Sequence, residues 1–202
     1  MDFGVSISTI LEAQARIEGH ALETPLLTNS SLQQTLGANV WLKCENMQPC
    51  GAFKMRGACN AVFSRSAAEL AQGVVAHSSG NHASALSYAA RAAGVAAYLV
   101  MPETAPRSKV ALVRQFEGQI TFCEATEAGR RGGCQELQEK TGALLVHPFE
   151  DPLVISGQGT VALEMLKQGP AFDTIVVPIG GGGLISGCAT ACKAMLPQLR
   201  VV

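Results

Sequence analysis

The chain has 202 residues, 48% hydrophobic and 15% charged, which is enough apolar material for one large domain or two small ones and excludes a disordered chain. Its formal net charge is -1 and no basic block is interleaved with aromatics, so a nucleic-acid groove has no support and a small partner is favoured. No apolar run approaches the ~20 residues of a bilayer span, and the first twenty residues carry neither a basic leader nor a small-residue cleavage site, so the cytoplasm is the expected compartment.

Along the chain, helix-period segments alternate with short apolar runs. The first helix is expected at 7–18, followed by a strand at 40–43, a helix at 54–63 and a strand at 74–77. Next come a helix at 82–93, a strand at 97–101, a helix at 107–116 and a strand at 119–123. A helix at 130–140, a strand at 143–146, a helix at 156–167, a strand at 174–177 and a helix at 184–195 complete the series. Residues 200–202 open one more strand. Glycines stand where helices should stop, at Gly94, Gly118, Gly142 and Gly169. Regular alternation of this kind predicts an α/β fold with mainly parallel strands.

Seven cysteines form no C-x-x-C pair, and Cys188 and Cys192, four apart on one helix face, read as core residues. The histidines His20, His77, His82 and His147 show no metal-ligand spacing, and no metal site is expected.

Three loops carry chemistry. In TIVVPIGGGGLISG, residues 174–187, a strand runs into Gly180, Gly181, Gly182 and Gly183, which open a helix. Backbone N–H groups converge there, the helix dipole adds positive potential, and the missing side chains let an anion come close. Neither the glycine spacing of a dinucleotide loop nor the Gly-Lys-Ser/Thr of a triphosphate loop is present, so a single phosphomonoester suits it; a tight turn built for close packing is the other reading. In HSSGNHA, residues 77–83, Ser78, Ser79, Asn81 and His82 gather at a helix start, as a pocket for a carboxylate or as an ordinary cap. In GAFKMRG, residues 51–57, Lys54 lies between Phe53 and Met55, where desolvation would make it an amine nucleophile; a solvated lysine is the plainer reading.

Together the motifs ETPLL (23–27), LKCENMQPCGAFKMRGA (42–58), HSSGNHASAL (77–86), MPETAP (101–106), GQGTVALE (157–164) and VVPIGGGGLISG (176–187) resemble the fold-type II pyridoxal-phosphate enzymes, within them the serine racemase and threonine (serine) dehydratase family. The resemblance implies two open, twisted, mainly parallel sheets with flanking helices, as in the tryptophan synthase β fold. It also implies pyridoxal 5'-phosphate as cofactor. By this likeness Lys54 bonds the cofactor aldehyde, Phe53 flanks it, Asn81 meets the ring hydroxyl, and Gly180, Gly181, Gly182, Gly183 and Leu184 hold the phosphate. Ser78, Ser79, Asn81 and His82 receive the substrate carboxylate, and Lys54 and Ser79 exchange the Cα proton from opposite faces.

The implied activity is serine racemisation accompanied by serine or threonine dehydration, in a homodimer acting on serine, threonine or hydroxyaspartate. A threonine dehydratase without racemase activity, a silent phosphate-binding relative and a β-replacement synthase are the alternatives. Where the family has Thr-Gly-Ser-Phe-Lys, this chain has Cys50, Gly51, Ala52, Phe53 and Lys54, with two hydroxyls gone. Family members continue well past Val202, where the group on the pyridine nitrogen and the Mg2+ or Ca2+ ligands lie. By the same analogy 73–151 forms a small domain, and 1–72 with 152–202 an incomplete large one.

Overall fold

The computed structural model describes residues 4–78 and 80–202. Helix α1 (Ile7–Arg16) starts at a reciprocal cap between Ser6 and Thr9 and buries Ile10 and Ala13. Strand β1 (Leu26–Thr28), helix α2 (Ser30–Leu36) and strand β2 (Trp41–Lys43) follow, with β1 and β2 antiparallel. A 3-10 turn at Glu45–Met47 leads to α3 (Lys54–Phe63). Then come β3 (Val74–His77), α4 (Asn81–Ala92), β4 (Ala97–Pro102), α5 (Arg107–Gln115), β5 (Gln119–Cys123), α6 (Glu127–Thr141) and β6 (Leu144–Leu145). Helix α7 (Pro152–Gln168), β7 (Thr174–Ile175), α8 (Gly183–Met195) and β8 (Arg200–Val201) close the chain.

Strands β3 to β6 form one parallel sheet in the order β5-β4-β3-β6. Successive crossovers step outward from β3 to β5, and the chain then returns to lay β6 on the other side of β3. That reversal opens a crevice beyond the carboxyl ends of β3 and β6, the place where open α/β sheets bind ligands. Val74, Val75 and Ala76 are fully buried in the central strand, as two-sided coverage of a parallel sheet requires.

Helix α7 packs through glycines. A Cβ on Gly157 would come 2.6 Å from the Arg56 carbonyl of α3, and one on Gly159 would come 2.9 Å from the Gly187 carbonyl of α8. Only a glycine face lets three helix backbones approach this closely. Beside this contact Arg56 is fully buried. Its guanidinium donates to Glu164 at 2.6 and 2.7 Å, to Glu45 at 2.7 and 2.8 Å, and to the Thr160 hydroxyl at 3.1 Å. Lys43 pairs with the same Glu164 at 2.6 Å, so two cations balance two carboxylates. The network ties α3 to the turn before it and to α7.

The α/β alternation read from the sequence is present; β1 and α2 are additions to the expected series, and there are three further departures. The two-sheet expectation meets three sheets among the described residues, and β1 with β2 is antiparallel. Strands expected at 143–146 and 174–177 are two residues long: β6 pairs with Val74 and Val75, and β7 with Arg200 and Val201. Helices α6 and α7 start earlier than their apolar periodicity, at caps formed by Thr126 and Asp151. Cys188 and Cys192 are buried, as expected. Among the described residues no helix is long and apolar enough to cross a membrane.

Candidate active site

Lys54 is the first residue of α3, half-buried at the crevice. Its Nζ donates to the Pro148 carbonyl at 2.5 Å and stands 5.3 Å from the centre of the Phe53 ring. Burial without a carboxylate partner brings its pKa down to about 8, so the uncharged amine is accessible near neutral pH. Lys54 is thus partly desolvated, which departs from a fully solvated lysine.

Around this amine lies a cavity of about 590 Å³ that also takes in Ser78, Asn81 and His82. Asn81 is exposed at the first position of α4, and the Ser78 hydroxyl accepts from the Gly80 N–H at 3.2 Å. Ser79, expected beside them, lies outside the described residues. His82 is buried, with Nε2 3.0 Å from the Val146 carbonyl. A carbonyl only accepts, so Nε2 carries the proton and Nδ1 offers a lone pair, which has no partner among the described residues. Burial, reinforced by the nearby Lys54 charge, pulls the His82 pKa down to about 3. His82 thus remains neutral, so the loop presents α4 N–H groups and the Ser78 hydroxyl but no imidazolium.

The glycine loop opens α8. A Cβ on Gly180 or Gly182 would meet nothing within 4 Å, and Gly182 has φ +85°, a left-handed conformation that favours glycine. A Cβ on Gly181 would fall inside the Phe149 ring, and one on Gly183 would lie 3.1 Å from the Phe149 carbonyl. Phe149 also lines the Lys54 cavity, so one side chain joins the loop to the amine. Leu184 and Phe53 pack on the same core cluster. The loop packs closely at Gly181 and Gly183 and leaves open backbone at Gly180 and Gly182.

Sequence reasoning missed several residues here. Pro148 and Phe149 come from the turn after β6, and Lys109, Arg130 and Arg131 project into the cavity from α5 and α6. Arg131 pairs with Glu127 at 3.0 Å, whereas the side chains of Lys109 and Arg130 make no hydrogen bond or ion pair among the described residues. The available signal for Pro148 and Phe149 was position: HPFE follows a strand and precedes a helix at the carboxyl edge. Lys109 and Arg130 looked like ordinary charges on polar helix faces.

A model of the family described as "Pyridoxal-phosphate dependent enzyme" matches residues 17–202. The chain belongs to that family. It is 48% identical over 200 residues to a serine racemase of Arabidopsis thaliana, covering 99% of this chain and 60% of that protein. It is 47% identical over 193 residues to a beta-hydroxyaspartate dehydratase of Paracoccus denitrificans (strain Pd 1222), covering 96% and 61%. A solved maize serine racemase superposes with a TM-score of 0.95 at 46% identity, covering 98% of this chain and 60% of that one. The chain therefore spans about three fifths of the length of these relatives.

The residues present fit the group that names the family. An aldehyde needs an amine that is uncharged part of the time, and Lys54 provides one. A phosphate needs converging N–H groups with no side chain in the way, and Gly180 and Gly182 leave that space at the start of α8.

Proposed function

We propose that this protein is a pyridoxal-phosphate-dependent serine racemase with accompanying serine and threonine dehydratase activity. The observation that carries the reading is the partly desolvated Lys54 amine sharing one cavity with Ser78, Asn81 and the start of α4. Bound pyridoxal phosphate supplies the electron sink that acidifies the substrate Cα. Lys54 would hold the aldehyde carbon, and its free amine would take the substrate Cα proton from one face. Asn81 would meet the ring hydroxyl, and residues 180–184 would hold the phosphate. Ser78 and the α4 N–H groups hold the substrate carboxylate. Ser79 would return a proton from the opposite face with inversion; loss of the β-hydroxyl as water would instead leave an enamine, which a second water hydrolyses to a keto acid and ammonia. Residues 73–151 act as a small domain, set against 1–72 with 152–202 in the large one, and the working form is a homodimer in the cytoplasm.

The experiment is an absorbance spectrum of the chain with pyridoxal phosphate, then borohydride reduction, peptide mapping and assay of serine turnover. A reduced cofactor adduct on Lys54 and formation of D-serine with keto acid are expected. Adducts scattered over surface lysines would overturn the assignment. In a turning-over protein, Ser79→Ala is expected to suppress D-serine formation while sparing the keto acid.

A second reading concerns the substrate. Lys109, Arg130 and Arg131 line the cavity against the single carboxylate of Glu127. That excess of cations suits an amino acid with a second carboxylate, such as hydroxyaspartate, over neutral serine.

A further inference from the structure

Residues 147–150 turn between β6 and α7 around their own first side chain. The His147 Nδ1 accepts from the Glu150 N–H at 3.1 Å and lies 3.5 Å from the Phe149 N–H. Its Nε2 is 3.4 Å from the Glu150 carboxylate. A nitrogen that accepts carries no proton, so the imidazole is neutral, with its one hydrogen on Nε2 facing the carboxylate. The peptide unit joining Pro148 to Phe149 is then held at both ends: its N–H faces the imidazole and its carbonyl accepts from Lys54 at 2.5 Å. The same turn lays the Phe149 ring on Gly181.

We propose that His147 is a positioning residue: its neutral imidazole winds the turn that aims the Pro148 carbonyl at Lys54 and seats Phe149 against the glycine loop, and protonation unwinds it. A proton added at Nδ1 faces two N–H donors, so both contacts turn repulsive at once. The role rests on Lys54 being the reactive amine, because that is what the turn aims.

The charged and titratable groups facing His147 come from every neighbouring element. His77 of β3 stacks edge-on at 5.7 Å; Lys54 of α3 and Arg131 of α6 oppose a positive imidazole; Glu150 and Asp151 favour one. Behind His77 stand Arg130, Arg131 and Glu127 of α6. Burial comes first and, with the cations, outweighs the two carboxylates, so the pKa lies below the ordinary histidine value. The turn therefore stays wound at neutral pH and opens only as pH falls below that value.

The test uses the cofactor-free chain, so it can fail separately from the cofactor reading. Nitrogen-15 NMR at pH 7.5 is expected to show His147 protonated on Nε2 alone. Amide exchange at Glu150, corrected for intrinsic rate, is expected to lose about tenfold in protection between pH 8 and pH 5. His147→Asn, whose side-chain oxygen can accept the same N–H groups but cannot titrate, should keep that protection at both pH values; His147→Leu should lack it at both. The Lys54 pKa, read by pH-dependent reductive methylation, should stay near its wild-type value in the Asn variant and move in the Leu variant. A proton on Nδ1 at pH 7.5, protection unchanged across the titration, or an Asn variant that titrates like the wild type would each overturn the proposal. Should the Leu variant fail to fold, the tautomer and the Asn variant decide.

Discussion

Lys54 donates to the carbonyl of Pro148 at 2.5 Å, and among the described residues no carboxylate pairs with it. Burial lowers its pKa from 10.5 to about 8. Between those values the unfolded chain binds the proton that the folded protein has released, so this group's contribution to stability rises with pH across that window. At neutral pH its buried charge is therefore a net cost. Lys54→Met is expected to stabilise the fold at pH 7 by about 1–3 kcal/mol, with the gain fading towards pH 10. Urea denaturation at both pH values checks this; a loss of stability at pH 7 would show that the Pro148 contact outweighs desolvation.

The same lowered pKa governs reactivity. With a pKa of about 8, roughly a tenth of Lys54 is uncharged at pH 7 and half at pH 8. Covalent capture of pyridoxal phosphate at Lys54 is expected to speed up about fivefold over that interval and level off above pH 9. Adducts on surface lysines should keep rising to higher pH. Site-resolved peptide mapping after borohydride separates the two populations, and a Lys54 profile that follows the surface lysines would remove desolvation as the activating device.

Gly180 and Gly181 make a matched pair. Gly180 has open space where a Cβ would go and no positive φ, so Gly180→Ala should change stability by less than about 0.5 kcal/mol. If the loop cradles a phosphate, that methyl should weaken pyridoxal phosphate binding by about tenfold or more and leave affinity for pyridoxal, which has no phosphate, unchanged. Equal effects on both ligands would return the loop to a packing role. Gly181→Ala drives a methyl into the Phe149 ring and should cost about 1–3 kcal/mol in the absence of any ligand.

Much of this fold was legible because its signals are local. Val74 to His77 and Gln119 to Cys123 are β-rich runs bounded by glycine or a polar turn, and the strands fall where those runs do. Strand β1 and helix α2 were not legible: three residues give no period, and α2 buries none of its residues. Lys54 and the glycine loop announced themselves through flanking residues. Arg130 and Phe149 reach the same cavity because the chain returns through α6 to lay β6 on the far side of β3, and Lys109 joins them from α5; this is a long-range arrangement that no window of sequence contains.

The buried charges around Arg56 set the stability of the platform from which Lys54 projects. For Glu45, burial raises the pKa, but hydrogen bonds and charge from Arg56 overcome it and leave the carboxyl below its usual range. Arg56→Met strands Glu45 and Glu164 without their guanidinium and should cost about 3–5 kcal/mol at pH 7. Because Glu45 has a depressed pKa, the stability it gains from Arg56 is present above about pH 4.5 and lost as pH falls below it. The deficit of the variant should therefore shrink in acid. Urea denaturation at pH 7 and pH 4 measures both numbers, and a deficit independent of pH would point to lost packing in place of lost charge.

Arg130 decides between the two substrate readings. Its side chain lines the Lys54 cavity and, like that of Lys109, makes no hydrogen bond or ion pair among the described residues. An unpaired guanidinium in a half-enclosed cavity discriminates through what its substrate can offer: a second carboxylate accepts two charge-assisted hydrogen bonds, and a hydroxymethyl group does not. If hydroxyaspartate is the better substrate, Arg130→Leu should lower kcat/KM for it by about 100-fold while changing that for serine by less than about threefold. Lys109→Leu, which removes a cation that lines the same cavity from α5, should act in the same direction and more weakly, since a lysine cannot form the bidentate pair. Keto-acid release from both substrates, compared across wild type and the two variants, checks the ratio. Equal losses on serine and hydroxyaspartate would assign Arg130 to the carboxylate that every amino acid carries and leave serine as the substrate.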